Sequence, residues 1–144
     1  MLTVEESVVI DKPRQEVFDF FADPDNVTLY SSNVSEYEIT SGNPKDVGRT
    51  ARVVVRVAGI KLESTDELVA IEEGRTVKVE SRDARIPYTL TFNFSDEGQG
   101  TRVTWLQESE SLKGVFKLAD AIVLKLYSRD VRGNLENAKT LIEG

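Results

Sequence analysis

The sequence predicts an α+β domain: a curved antiparallel sheet covered by a single long C-terminal helix, with two short helices set between the first strand and the rest. Three features carry this. From Val34 to Ser109 the side chains follow a period of two through segments rich in β-branched and aromatic residues. The breaks between those segments are short and turn-like, which makes successive strands antiparallel neighbours. From Val115 to Ile142 the period becomes helical.

Taken in order, Leu2 to Ile10 alternate loosely (Leu2, Val4, Val8, Ile10) and form a strand ending at Asp11-Lys12-Pro13, where the proline suits a first helical turn. Val17, Phe18, Phe20 and Phe21 supply the apolar face of a short helix. Asp23-Pro24-Asp25 ends it before a second helical segment that reaches Tyr30. Strands are then expected over Val34–Ser41, Thr50–Ala58, Ile60–Ile71, Thr76–Arg82, Ile86–Ser95 and Thr101–Ser109. Their separators are Gly42-Asn43-Pro44-Lys45-Asp46, Gly59, Glu73-Gly74 and Asp96-Glu97-Gly98-Gln99-Gly100. The closing helix, about 28 residues and roughly 40 Å long, can lie across the whole sheet.

Composition narrows the chemistry. A chain of 144 residues that is 40% hydrophobic is expected to form one domain, spanning residues 1–144, with a core of its own. Its 18 basic against 25 acidic residues give a net charge of −7, so nucleic acid is not an expected partner. With no Cys and no His, disulfides, thiol nucleophiles, imidazole bases and the common zinc sites drop out; no metal and no cofactor is expected. Glu5 and Glu6 stand where a secretory signal would carry basic residues, which points to a cytoplasmic protein. The longest uncharged stretches, Asn26–Ser35 and Ile86–Ser95, fall well short of the ~20 residues of a membrane span, so stable membrane insertion is not expected.

The alternation also assigns faces. Tyr88, Leu90, Phe92 and Phe94 share one side of their strand, as do Val103, Trp105 and Gln107 in the next and Ala51, Val53 and Val55 in an earlier one. Between Ile60 and Ile71 the inward set is Ile60, Leu62, Ser64, Asp66, Leu68 and Ala70, with Val69 and Ile71 outward. One helix about 10 Å across cannot fill a curved sheet of this breadth, so a cavity between them is expected. The competing reading is that the aromatic side chains simply fill that space.

Several short motifs bear on family. The strand followed by Ile10-Asp11-Lys12-Pro13, Val17-Phe18, and Asp23-Pro24 with Tyr30 beyond resembles the opening of the START-like, Bet v 1-like superfamily, in its polyketide cyclase/dehydrase and lipid-transport (SRPBCC) group. Gly100-Thr101-Arg102-Val103-Thr104-Trp105 and the terminal helix with Leu135, Ala138 and Leu141 are similar to that group's last elements. The resemblance implies a helix-grip fold: a curved seven-stranded antiparallel sheet around a long C-terminal helix, two short helices after the first strand, and a hydrophobic cavity inside. Where family members often carry two tryptophans in the second short helix, this chain has Val27 and Tyr30. The group shares no universal catalytic set, so the resemblance assigns no catalytic residue.

The cavity wall expected from these faces comprises Tyr30, Val55, Ser64, Asp66, Leu68, Tyr88, Leu90, Phe92, Phe94, Trp105 and Gln107, with Phe116, Ala119, Val123 and Tyr127 from the helix. Asp66 is the one catalytic candidate. An acid with no basic residue on its face pairs, protonates or serves a ligand, unless a bulge turns it to solvent. Val115, Leu118, Ile122 and Leu126 widen the apolar arc of the helix's first half; this is either deeper burial or a surface for a membrane, a protein partner or a second copy as a homodimer. Three functions follow. The favoured one is binding or transport of a small hydrophobic molecule such as a lipid, isoprenoid, polyketide or aromatic compound. The others are a cyclase or dehydratase using the same cavity, and an interaction protein of the co-chaperone-like or membrane-assembly kind.

Overall fold

The expected turns each end a strand. β1 (Leu2–Ile10) leads into α1 (Arg14–Ala22), a 3-10 turn at Pro24–Asn26 and the single-turn α2 (Val27–Tyr30). Six further strands follow, β2 (Val34–Ser41), β3 (Thr50–Val57), β4 (Ile60–Glu72), β5 (Thr76–Arg82), β6 (Tyr88–Glu97) and β7 (Gly100–Ser109), and then the helix α3 (Asp120–Glu143). The computed structural model describes residues 2–57, 59–110 and 120–144. The seven strands form one antiparallel sheet in the order β1-β7-β6-β5-β4-β3-β2, so α1 and α2 carry the chain from one edge of the sheet to the other.

The inner face of this sheet is built by the parity read from the sequence. Val4, Val8 and Ile10 of β1 meet Val103 and Trp105 of β7, and Phe92 and Phe94 of β6 continue the surface. Val17, Phe18 and Phe21 project from α1 onto it. The Phe18 ring meets Phe94 edge-on at 5.4 Å, and Phe21 lies 5.2 Å from Phe92 and 5.1 Å from Tyr30. Edge and tilted pairs of this kind add about 0.5–1.5 kcal/mol each beyond the area they bury. One end of the sheet is thereby closed by solid aromatic packing.

Val131, Leu135 and Ala138 bury one stripe of α3, whose described part packs chiefly on β1 and α2. The fully buried Asn134 ties the chain after α2 to this helix. Its carbonyl oxygen accepts from the Ser32 backbone N–H at 3.0 Å, and its amide donates to Asn33 Oδ1 at 3.0 Å. Asn137 adds a bond to the Tyr30 carbonyl, and Arg132 pairs with Glu6 of β1 at 2.9 Å. The start of α2's exit loop, the helix and the first strand are thus one unit.

Three expectations about faces need correcting. Register slips between Leu68 and Ala70 where β4 pairs with β5. The alternation therefore reverses: Ala70 is exposed and Ile71 packs against the core, because a bulge inserts one unpaired residue and flips every side chain after it. At the other end of β4, Ile60 is 55% exposed beside the turn at Gly59. Val54, on the outward parity of β3, is fully buried between its register neighbours Glu36 and Glu63.

Candidate ligand cavity

Against the inner side of this aromatic end, the sheet, the short helices and α3 line a cavity of about 180 Å³. Its wall is mostly apolar, with Val53 and Val55 from β3, Leu62 and Leu68 from β4, Val77 and Val79 from β5, and Leu90 and Phe92 from β6. Two groups of polar side chains interrupt it, and they differ in kind.

The first group contains the charges. Asp66 of β4 is 4% exposed and accepts a hydrogen bond from the Tyr88 hydroxyl of β6. Burial is the dominant influence on its carboxyl, which is pushed up to about 6 from an ordinary 3.8 against the opposing pull of Tyr88, Arg49 and Tyr37. Arg49 precedes β3 and is 5% exposed. Its Nη1 donates to the Tyr37 hydroxyl at 2.8 Å, its Nε donates to the Pro44 carbonyl at 3.3 Å, and the guanidinium lies 5.6 Å from the Tyr37 ring centre. Backbone bonds to Leu68 at both Gly48 and Arg49 extend the β3–β4 ladder back to this residue. Gly42 makes room: it adopts φ +81°, and a Cβ there would stand 2.9 Å from Arg49 Cβ. Burial raises the Tyr37 hydroxyl to about 12, with Asp66 adding to the shift and Arg49 opposing it.

The second group is neutral. Gln107 Oε1 accepts from Trp105 Nε1 at 3.1 Å and from the Tyr127 hydroxyl at 2.8 Å. One carbonyl oxygen with two lone pairs thus satisfies two donors on β7 and α3. Burial pushes the Tyr127 hydroxyl up to about 12, while its bond to Gln107 works the other way. Tyr30, 2% exposed, stands between the groups with its ring 6.4 Å from Trp105, and burial raises its hydroxyl well above the ordinary range.

Of the residues expected at the wall, Tyr30, Val55, Ser64, Asp66, Leu68, Tyr88, Leu90, Phe92, Trp105, Gln107 and Tyr127 line the cavity. Phe94 does not. It shares their face but is covered by Phe18 and Phe21 of α1, so no open volume reaches it. Phe116 and Ala119 lie outside the described residues, as does the Val123 side chain. Of the residues expected to widen the helix's apolar arc, Val115, Leu118 and the Ile122 side chain fall there too, while Leu126 is exposed. Arg49 and Tyr37 were not expected at the cavity, and Arg49 is the basic neighbour that the Asp66 face was expected to lack. Parity held the signal: position 49 continues the inward set Ala51, Val53, Val55 by one step back, and Tyr37 pairs with Val53 across β2 and β3.

The sequence of the chain matches, over residues 1–143, the family model described as polyketide cyclase / dehydrase and lipid transport. Similar solved structures include the protein TTHA0849 from Thermus thermophilus, with TM-score 0.85 and 22% identity over 97% of this chain and 96% of that one. A START superfamily protein from Mycobacterium smegmatis aligns with TM-score 0.80 at 12% identity, covering 99% of this chain and 98% of its own. Major latex-like protein 151 from Panax ginseng aligns with TM-score 0.65 at 15% identity, covering 91% and 96% respectively. These likenesses show the helix-grip fold. Among curated proteins none matches the sequence.

Proposed function

The chain belongs to the polyketide cyclase/dehydrase and lipid-transport family, and from that premise we propose that it binds one small hydrophobic molecule in the cavity between sheet and helix, without metal or nucleotide. The observation that supports this best is the cavity itself: an apolar wall with a few convergent polar groups, as small-molecule sites usually have. A space of about 180 Å³ holds on the order of a dozen waters, which suits a ligand with about a dozen non-hydrogen atoms. The test is titration of delipidated protein with a neutral solvatochromic dye, followed by native mass spectrometry. The expected result is saturable binding at one molecule per chain. A protein that takes up no dye at micromolar concentration overturns the reading.

One observation favours a second reading, in which the same cavity runs a cyclisation or dehydration. Asp66 is a buried carboxyl held near neutrality and hydrogen-bonded to a tyrosine, which suits it to accept or return a proton at a bound chain. Positioning within the wall would supply the remainder of the rate. Turnover of a poly-β-carbonyl substrate that disappears in Asp66→Asn, with binding retained, supports this reading; binding without turnover leaves the carrier.

A further inference from the structure

Most arginines of this chain are solvent-accessible and find a carboxylate. Arg14, Arg52, Arg75, Arg82, Arg102 and Arg132 each pair with an Asp or Glu within 4.0 Å. Arg49 is the buried one, and among the described residues no carboxylate oxygen lies within that distance of it. Its two bonds go to neutral oxygens, the Tyr37 hydroxyl and the Pro44 carbonyl. Nη2 has no partner among the described residues, yet it is not sealed away, because no buried side-chain nitrogen there lacks a bond. Arg49 lines the cavity, and Nη2 is the nitrogen that keeps donors to offer there. A buried charge with no bonded counter-ion is costly, and it is a ready partner for an acid brought in by a ligand.

We propose, resting on the carrier reading, that Arg49 anchors the head of the ligand and that this head is a carboxylate: the cavity takes a small amphiphilic acid whose tail lies along Val53, Val55, Leu62 and Leu90. Tyr37 holds the guanidinium in place through ring and hydroxyl, and with Nε on the Pro44 carbonyl the donors of Nη2 are left for an acid. A carboxylate fits better than a phosphate. Among the described residues Arg49 is the one buried cation, and the Asp66 carboxyl stands close enough to feel it, so a dianion would meet repulsion without a second positive partner. Asp66 is faced by Tyr37 from β2, Arg49, Ser64 on its own strand, Tyr88 from β6, Tyr30 from α2 and Tyr127 from α3. Of these only Arg49 carries charge near neutral pH. Protonating Asp66 therefore leaves the site with one net positive charge, and binding of the acid should tighten as pH falls from 8 towards 6.

The experiment compares decanoic acid with 1-decanol as displacers of the neutral dye from delipidated full-length protein at pH 7.5. A charge-assisted hydrogen-bond pair predicts that the acid binds about 10- to 100-fold more tightly than the alcohol. Arg49→Gln should bring that ratio to about one while leaving the decanol affinity in place, and Arg49→Lys should restore part of it. Circular dichroism checks that each variant is folded. Where Arg49→Gln fails to fold, Asp66→Asn answers the same question: at pH 8 it should strengthen decanoate binding several-fold and leave decanol unchanged. Equal affinity for acid and alcohol in the native protein overturns the anchor and leaves the carrier reading standing. A preference that survives Arg49→Gln and vanishes in Arg85→Gln moves the cation to the exposed β5–β6 loop and also overturns it. Dye that binds nowhere ends both readings together.

Discussion

The two polar groups in the cavity wall share a size and a setting but not a state of completion. At Gln107 the acceptor is fully used: Trp105 and Tyr127 each give one hydrogen bond, one oxygen takes both, and all three side chains are neutral. At Asp66 and Arg49 the balance is left open. A carboxyl and a guanidinium are both buried in the cavity wall, each is bonded to a tyrosine instead of to the other, and Nη2 of Arg49 has no partner among the described residues. A closed network rigidifies a fold and specifies one packing. An open one costs stability where it stands, and that cost is reduced when a ligand completes it. The difference separates a device that joins β7 to α3 from a device suited to recognition.

The largest effect should come from opening the closed network. Gln107→Leu removes the acceptor and leaves the Trp105 indole N–H and the Tyr127 hydroxyl without their bond. At about 1–3 kcal/mol for each of the two stranded donors, the loss should be on the order of 2–6 kcal/mol in urea unfolding. Gln107→Glu tests the neutrality: it keeps the acceptor but buries a charge, and it should unfold more readily at pH 8 than at pH 5. A Gln107→Leu variant as stable as the native protein would erase the distinction between the two groups.

The open group should respond in the opposite direction. In the folded chain Asp66 keeps its proton up to about pH 6, whereas in the unfolded chain it has released it near 3.8. Between those values the folded state binds the extra proton, so stability falls as pH rises through the window and the loss is complete above it. The loss is on the order of 3 kcal/mol. Asp66→Asn copies the protonated form, and its amide oxygen can still accept from Tyr88. It should therefore stabilise the fold by about 2–3 kcal/mol at pH 8 and by almost nothing at pH 4. A variant that is less stable than native at pH 8 would mean that the carboxylate's main duty is to neutralise Arg49.

A smaller change probes the apolar wall that separates the groups. Leu90 lines the cavity on β6, opposite Gln107 in register and two residues from Tyr88. Leu90→Trp should occupy open volume, weaken dye binding roughly tenfold or more and cost less than about 3 kcal/mol of stability. Undiminished binding would place the ligand elsewhere.

How much of this was legible beforehand depended on what each residue's position was made of. Strand order and face followed from alternation and turn chemistry, which act locally: β1 and β2 begin and end where the pattern says, and Ser64, Asp66 and Leu68 face inward as their parity requires. The bulge at Leu68 was not legible, since an extra residue in one strand is defined only against its partner β5. Phe94 had the right face but the wrong neighbour, because only tertiary packing brings Phe18 and Phe21 over it. Arg49 was hidden by its type. A basic residue beside the turn from Gly42 to Gly48 reads as a solvated loop charge, and burial came from the β3–β4 ladder running one residue further back than the pattern implied.

The smallest effect is spectroscopic, and it reads both groups at once. Trp105, the sole tryptophan, is 4% exposed, lines the cavity, meets Phe92 at 5.1 Å and fixes its N–H on Gln107. Its native emission should be blue-shifted from that of hydrated indole, since the ring sits in an apolar contact shell. Because the N–H is already bonded, a ligand that enters the Arg49 side should alter intensity by changing what touches the ring, with little further wavelength shift. Gln107→Leu should instead move the wavelength even without ligand, by freeing the N–H. Titration with decanoic acid of native, Arg49→Gln and Gln107→Leu proteins separates the two. An intensity change that tracks acid binding and is lost in Arg49→Gln ties the open group to recognition. A native spectrum like that of free indole removes Trp105 from the wall, and with it the arrangement on which the comparison stands.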